Sequence, residues 1–522
     1  MTTAIDITTE QRKILLAFLR QFIPGVVVWA YGSRVKWTAR INSDLDLVVF
    51  ATPAQRSLVS ELKDALAESN LPFLVDLHIW DDVPERFHEI IRKEYVVLQE
   101  VEEKSGGWVM AGDLWIKTTI GEQATLQRGI DITKAEQRDG KVPVVSSGGI
   151  SSYHDTAAVN GPGVILGRKG VVGSVFFVNE DYWPHDTSLW VKDFHRNYPR
   201  FVYYFFKSVA PQIAKMDVGS ANPTLNRNHV HPLPIIWPPL PTQKAIAHIL
   251  GTLDDKIELN RRMNATLEAM ARAIFKSWFV DFDPVRAKMD GRVPFGMDEE
   301  TATLFPDGFQ DSELGLIPRG WGVKMIRDIG NIICGKTPPT KISKYYGDDI
   351  QFITIPDMHG NIFVIETARK LSYAGANLQD NKTIPPESIC VSCIATPGLV
   401  IITSENSQTN QQINSIVPYA KDETYFWYWV MTGLGTEIAA NGSGGSVLIN
   451  LSKGRFETLQ VIQPPHSLIC AYHTAVRPLF ETILANTHQS RTLATLRDTL
   501  LPKLLSGELS VAAMESKIDI AN

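Results

Sequence analysis

Cysteine is scarce, with four in 522 residues. So few thiols in so long a chain exclude a disulfide scaffold and point to a reducing compartment. Long apolar runs are missing too. The longest uncharged stretch near span length, Ser388 to Ser404, is broken by Pro397 and Gly398, which argues against a membrane span. No basic leader with an apolar core opens the chain, so a secretory signal is not expected and the cytoplasm is. Positive charge is not in excess: 51 Lys and Arg face 57 Asp and Glu, a formal net charge of −6. Taken alone, that balance speaks against a nucleic-acid binder. The 12 histidines show no H-E-x-x-H spacing. Cys390 and Cys393 form a lone C-x-x-C with no second pair nearby, so buried thiols are expected there rather than zinc. What is present, 44% hydrophobic and 21% charged residues, is an ordinary globular composition and excludes wholesale disorder. The length calls for three or more domains.

Residues 1–105 read as a compact α/β unit. Helical spacing covers Gln11 to Phe22 and Ser57 to Glu68. Strand-type runs cover Val26 to Tyr31, Leu45 to Phe50 and Phe73 to Trp80, and Pro84 to Glu100 is read as helical. Glu100 to Gly107 reads as a linker. These first 105 residues hold 12 Lys and Arg against 16 Asp and Glu, so −4 of the net −6 sits here. The remainder is close to neutral, which is compatible with a DNA reader whose cations cluster on loops.

The rest of the chain contains a repeat. A shift of 226 residues gives 13 identities over the 49 positions from Gly219 to Leu267, where roughly 3 would arise by chance. They include Leu225, Leu233, Ile236, Pro238-Pro239, Leu253, Ile257, Asn260 and Leu267. Such a long period means a duplicated domain rather than a solenoid. In each copy a turn-rich, β-like region precedes a double proline and a long helical pattern. The first pattern places Ile246, Ile249, Leu253, Ile257, Leu267, Ala271, Ile274 and Trp278 on one seam, with Asn260 and Asn264 in the missing places. The second repeats it with Leu479, Ile483, Asn486, Leu493, Leu500 and Leu504, and Pro478 is expected to start or kink that helix. Each helix is expected to run for about 33 residues, roughly 50 Å. An antiparallel pair would satisfy both seams, with Asn260 and Asn486 as buried polar positions that set register.

Tyr31-Gly32-Ser33-Arg34 is followed by Asp44-Leu45-Asp46, and Asp76 lies on the next strand. Carboxylates at i and i+2 of a strand share a side and can share divalent metals. A third from a neighbouring strand completes a clamp for phosphoryl or nucleotidyl transfer. A Gly-Ser turn can offer N–H groups and a hydroxyl to phosphates. On these motifs residues 20–100 resemble the minimal nucleotidyltransferase domain of the polymerase-β-like superfamily, of the kind found in toxin–antitoxin pairs. The resemblance implies that Asp44, Asp46 and Asp76 are catalytic and bind magnesium. It implies that Gly32, Ser33 and Arg34 hold ATP, and that AMP passes to a protein partner.

The remainder resembles the specificity (S) subunit of type I restriction–modification enzymes. The residues that carry this are the double-copy layout and several phrases: Leu233 to Ala247, Leu253-Asp-Asp-Lys-Ile257, Lys276 to Lys288, Ile317-Pro-Arg-Gly-Trp321 and Leu500 to Glu508. The fold class expected is thus α+β and multidomain. A small α/β nucleotidyltransferase domain precedes two α/β target-recognition domains separated by two long antiparallel coiled-coil helices. The divisions fall at 1–105, 106–237 (first head), 238–290 (spacer helix), 291–463 (linker and second head) and 464–522 (distal helix and tail). The resemblance implies a non-catalytic reader of double-stranded DNA that docks two methyltransferase subunits and restriction, or translocase, subunits. S-adenosylmethionine and ATP for that chemistry belong to the partners, and neither a helicase P-loop nor a methyltransferase Asn-Pro-Pro-Tyr is read in this chain. Candidate DNA contacts are His154, Arg168 and Lys169 in the first head. In the second they are Lys336, Lys341, Lys344 and the amides of Asn410, Gln411 and Gln412, suited to adenine. Solvation or backbone capping is the alternative for each. Trp427, Tyr428 and Trp429 are read as core rather than base-stacking platforms. A second reading of the whole chain is a nucleotidyltransferase localised by its DNA-binding heads, and a third has the first domain binding nucleotide without transfer.

Overall fold

The computed structural model describes residues 5–23, 26–40, 43–51, 55–69, 71–99, 115–216, 224–394, 396–441, 451–509 and 511. The expected linker at 100–107, and the repeat positions Gly219, Ser220, Gly445 and Ser446, lie outside them. The chain forms two compact units. One comprises Met1–Thr125, Arg227–Thr242 and Ser506–Asn522, the other Leu126–Asn226 and Gln243–Leu505.

In the first unit, Thr8 opens helix α1 (Thr9–Phe22) with a capping box: its hydroxyl accepts from Gln11 N–H while the Gln11 side chain accepts from Thr8 N–H. Strands β1 (Val28–Tyr31) and β2 (Leu45–Val49), helix α2 (Arg56–Ala67), strand β3 (Val75–Ile79), helix α3 (Glu85–Lys93) and strand β4 (Tyr95–Gln99) follow. The sheet order is β3-β2-β1-β4, with β2 and β3 parallel and the other pairs antiparallel. Leu15 and Leu19 of α1 and Val59, Leu62 and Leu66 of α2 share a core with Val28, Ala30, Leu45, Leu47 and Val49 of the sheet. One expectation fails here. Pro84 to Glu100 is not one helix, because the β-branched run at Val96-Val97 leaves α3 after Lys93 and pairs with β1 instead.

The duplication extends well beyond the matching sequence. In the first head, strand Gly163–Gly167 lies between Val175–Val178 and Ser188–Asp193, and helix α4 (Pro199–Ala214) follows. In the second, Ile389–Ser392 lies between Val400–Thr403 and Ile413–Pro418, followed by helix α5 (Thr424–Asn441). The strand after each helix pairs with the strand that opens its copy: Pro234–Trp237 with Ile116–Thr119, and Gln460–Gln463 with Gly322–Met325. The opening strands are offset by less than 226, so the extra residues of the second head fall before Ile389.

The two long helices, α6 (Leu240–Phe279) and α7 (His466–Leu505), are 40 residues each, about 60 Å, and longer than the seams suggest. Each starts right after its double proline or within one residue of it, since proline tolerates a helix start but interrupts the strand before it. Pro478 lies inside α7 rather than at its start. Gly507, at φ +76°, stands in the left-handed region just past the end of α7. No described helix is long and apolar enough to cross a membrane.

Within the second unit the two helices run antiparallel. Ala271 meets Tyr472, Asn264 meets Ile483 and Thr487, and Asp254 meets Arg497. Asn260 is fully buried; its amide donates to Gln489 Oε1 at 2.8 Å and Ser490 Oγ at 3.2 Å. Its repeat mate Asn486 donates to Asn264 Oδ1 at 2.9 Å. Positions 264 and 490 are themselves repeat mates, so the two sets of contacts are related by a local pseudo-dyad. The Asp254-Asp255 phrase fastens the first head to this pair. Tyr204 of α4 donates to Asp254 at 2.6 Å, and Arg200 forks onto Asp255 and the Gly251 carbonyl. A Cβ at Gly251 would lie 2.8 Å from the Arg200 guanidinium, so a side chain there would displace this fork. The phrase from Lys276 to Lys288 closes the end of α6: Trp278, Phe279, Phe282 and Val285 join Phe305, Trp321 and Tyr472 in the largest apolar core. Cys390, Cys393, Trp427, Tyr428 and Trp429 are buried, as read.

The polar seam generates one expectation. Asn260→Ala strands the amide partners on α7, and should lower stability by about 1–3 kcal/mol in denaturant unfolding. Combined with Asn486→Ala the losses should be less than additive, since both report on one network. Strict additivity would show that the two asparagines act independently.

Candidate functional site

Tyr31, Asp46 and Asp76 are register partners across β1, β2 and β3, so one row of the sheet carries a phenol and two carboxylates on one face. Asp44 sits one residue before β2 and is exposed. Gly32, at φ +82°, leaves the sheet so tightly that an added Cβ would stand 2.1 Å from Asp46 Oδ2. The turn then folds back, with Val35 and Lys36 N–H donating to the Gly32 carbonyl and Thr38 N–H to that of Ser33. Only glycine permits both the left-handed φ and the close approach of this turn to the acids.

Burial raises the pKa of Asp46 above the ordinary carboxylate range, and the charges of Asp76 and Asp44 add to it. Burial, and then the charges of Asp46 and Asp76, push Tyr31 up to about 12, so its hydroxyl keeps its proton at neutral pH. His78, two residues on from Asp76, places Nε2 3.0 Å from Asp76 Oδ2. The three acids do not all bring a donor atom within 4.8 Å of one another. Tyr31 and His78 were not assigned from sequence, although each falls on the acids' face by strand alternation.

Arg34 does not belong to this set. It is buried, lies over the Phe73 ring at 4.1 Å, and donates to the backbone carbonyls of Ser43 and Asp6. It therefore holds the turn and the Asp44 segment in place.

In the first head, His154 is likewise buried. Its Nδ1 accepts from Arg138 N–H at 3.0 Å and its ring meets Trp183 edge-on, so its contacts are spent propping a loop. Lys169 is exposed and Arg168 half-buried, its Nη1 donating to the Asp186 carbonyl. Arg128, missed in sequence, pairs with the Asp186 carboxylate at 2.9 Å. Burial, and then the Arg128 charge, lowers the Arg168 pKa, which records two cations brought together.

In the second head the structure joins two separate candidates. Gly335 packs on the backbone of Thr409 and Asn410, Lys336 N–H donates to the Thr409 carbonyl, and Thr337 Oγ1 donates to Gln411 Oε1 at 2.7 Å. Lys336, Lys341, Lys344 and Gln411 are exposed. Asn410 is partly spent on Gln412, to which it donates at 2.9 Å. Beside this loop a cavity of about 680 Å³ is lined by Thr340, Ser343, Tyr346, Arg369 and Lys370 among others. The spacing of a phosphate-binding P-loop, Gly330-x4-Gly335-Lys336-Thr337, is present after all. It is not one in structure: Gly330–Cys334 is a strand paired with Ile413–Pro418, and Pro338-Pro339 follows where a helix would have to begin.

Known proteins resemble both parts of the chain. The family model for the type I restriction modification DNA specificity domain matches residues 113–269 and again 318–467. The polymerase beta nucleotidyltransferase model matches residues 15–104. The type I restriction enzyme HindI specificity subunit of Haemophilus influenzae is 40% identical over 328 residues, 55% of this chain and 71% of that protein. The MjaIX specificity subunit of Methanocaldococcus jannaschii is 27% identical over 328 residues, 60% of this chain and 69% of its own. The probable protein adenylyltransferase MntA of Haemophilus influenzae is 46% identical over 100 residues, 19% of this chain and 88% of its length.

The raised Asp46 pKa has a sign that can be checked. The fold binds this proton more tightly than the unfolded chain does, so Asp46 favours folding at acid pH and that contribution is lost as pH rises through its folded pKa. At neutral pH without divalent ions, Asp46→Asn should therefore raise the melting temperature, and it should abolish any further rise on adding magnesium. A fall in melting temperature would mean that the Asp46 carboxylate stabilises the metal-free fold.

Proposed function

The chain belongs to the type I restriction–modification DNA specificity family, with a polymerase-β-type nucleotidyltransferase domain at residues 15–104, and on that premise we propose how each part acts. Each head reads one half of a bipartite duplex DNA site, and the two halves differ because the heads differ. The α6–α7 pair acts as a coiled-coil spacer and as the docking surface for two methyltransferase subunits, to which restriction and translocase subunits add. The cytoplasm is the compartment in which this assembly meets DNA.

The observation that carries this reading is the duplication. A helix of about 60 Å exceeds one turn of duplex, about 34 Å, so the halves must be separated by a gap. Exposed Leu259, Met263, Met270 and Leu496 on the helix pair support docking of partners there. The clustered Arg128, Arg168 and Lys169, and the lysines of the 336–344 loop, supply the local positive charge that the overall balance lacks. S-adenosylmethionine and the ATP for translocation stay with the partners.

For the first domain we propose transfer of AMP from ATP to a protein partner. Asp44, Asp46 and Asp76 would hold magnesium, and the donor set fits it: oxygen ligands only, with Asp46 raised by burial and then by its two acidic neighbours. Magnesium, when bound, supplies charge neutralisation to the triphosphate and aligns the attacking and leaving oxygens. The Gly32-Ser33 turn lies against the acids with no Cβ in the way, which suits close approach of phosphates. Tyr31 keeps its hydroxyl proton beside the acids, and Arg34 secures the turn.

Two experiments follow. Deleting four residues, about one turn, from the middle of both α6 and α7 should change the gap in the methylated sequence while each half-site stays the same, read by mapping modified bases in cells carrying the methyltransferase partner. A continuous recognition sequence would refute the spacer. Labelled ATP with magnesium and a candidate partner protein should transfer label from the intact chain, and the Asp44→Ala, Asp46→Ala double variant should lose it. Transfer that survives the double variant would remove these acids from the reaction.

A further inference from the structure

A second group of ligating side chains lies where the second head meets the start of α7. Asp422, in the single turn Lys421–Glu423 just before α5, faces His466 and Cys470, one turn apart on α7. Cys470 Sγ is 3.1 Å from Asp422 Oδ2 and 3.3 Å from His466 Nε2, and Nε2 is 3.7 Å from Oδ2. Bonds of about 2.0–2.3 Å from a tetrahedral zinc ion place its donor atoms about 3.3–3.6 Å apart. The three atoms thus outline one face of such a tetrahedron. We propose that Asp422, His466 and Cys470 bind a zinc-class divalent cation, which clips the distal helix to the second head.

The surroundings select for a cation. His466 Nδ1 lies 2.9 Å from Glu423 Oε1, and a carboxylate can only accept, so Nδ1 carries the proton and Nε2 turns its lone pair toward the other two donors. Glu423 is nearly buried and held in turn, its Oε2 accepting from the Trp427 indole at 2.8 Å. This is the outer-shell arrangement that orients a metal-bound histidine. Burial, with the charges of Asp422 and Glu423, pushes the Cys470 thiol up to about 11, so without a cation the thiolate is disfavoured; on binding, its proton passes to solvent. His466 is exposed, which leaves the fourth position to water.

The duplication provides an internal control. At the same junction of the first copy, the positions of Asp422, His466 and Cys470 are occupied by Arg196, Leu240 and Lys244. There the joint is made by amides: Gln243 donates to Asn197 Oδ1 at 2.7 Å and accepts from Tyr198 N–H at 2.9 Å. The donor set is therefore not a packing requirement of the repeat. The other described group of this kind, Asp131, His185 and Asp186, already has Arg128 on Asp186, and a cation there would face that charge.

Cobalt titration of the full chain under reducing conditions tests the site. One equivalent should give tetrahedral d–d bands and a near-ultraviolet thiolate-to-cobalt band, and zinc should displace both. Cys470→Ser should remove the thiolate band, and Asp422→Asn should weaken binding at least about tenfold, with metal-free melting temperatures showing that both variants fold. Glu423→Gln, which leaves all three ligands in place, should weaken binding by about 10–100-fold. No bands from the intact chain, or a thiolate band that persists in Cys470→Ser, would reduce the cluster to a hydrogen-bonded triad and overturn the proposal.

Discussion

The register of two antiparallel helices is the constraint on which the rest of the second unit depends. A seam of leucines and isoleucines alone is tolerant of sliding, because one apolar contact replaces another at similar free energy. Buried amides are not tolerant: a slip of one turn would leave Asn260 without Gln489 and Ser490, and Asn486 without Asn264. The seam around them is thin, for Leu253, Ile257 and Leu267 are only half-buried, so the polar centre carries more of the specificity than it would in a thick core. The heads are fastened to this frame by different means, charge and phenol at Asp254-Asp255 for the first, and a broad aromatic core for the second.

The first domain is organised around the opposite kind of interaction, a repulsion kept in place. The sheet register sets Asp46 beside Asp76, and Gly32 brings backbone against them. Burial, with the neighbouring acids second, raises both Asp46 and Tyr31. Titratable groups held away from their ordinary values by burial and like charge mark this row as a candidate site.

Much of this was legible in the chain itself. Period-two and period-3.6 patterns located the strands and helices, and the duplication declared itself through identities in the helical half, where core packing and register restrict the choice of residue. The misses share a physical cause. Arg34 and His154 were chosen for residue type and loop context, yet both are buried, and burial depends on chain segments far away. The P-loop spacing at Gly330 is undone by strand pairing that a local motif cannot encode. Asp422 lies in a different element from His466 and Cys470, so no spacing rule could join them. Strand β4 was lost because a charged helix runs directly into a β-branched run with no glycine or proline between them.

The pseudo-dyad also bears on how such a chain changes over generations. In a true homodimer, a substitution on the axis strikes both partners at once, and a single mutation must be acceptable against its own image. Here the two sides are encoded separately within one gene. Each can drift while its neighbour stands still, and the axis already records that freedom: asparagine faces asparagine at 260 and 486, while the flanking mates have become Asn264 and Ser490, Met263 and Gln489. A repeat carried within one chain makes a position of enforced symmetry into two that can be changed separately.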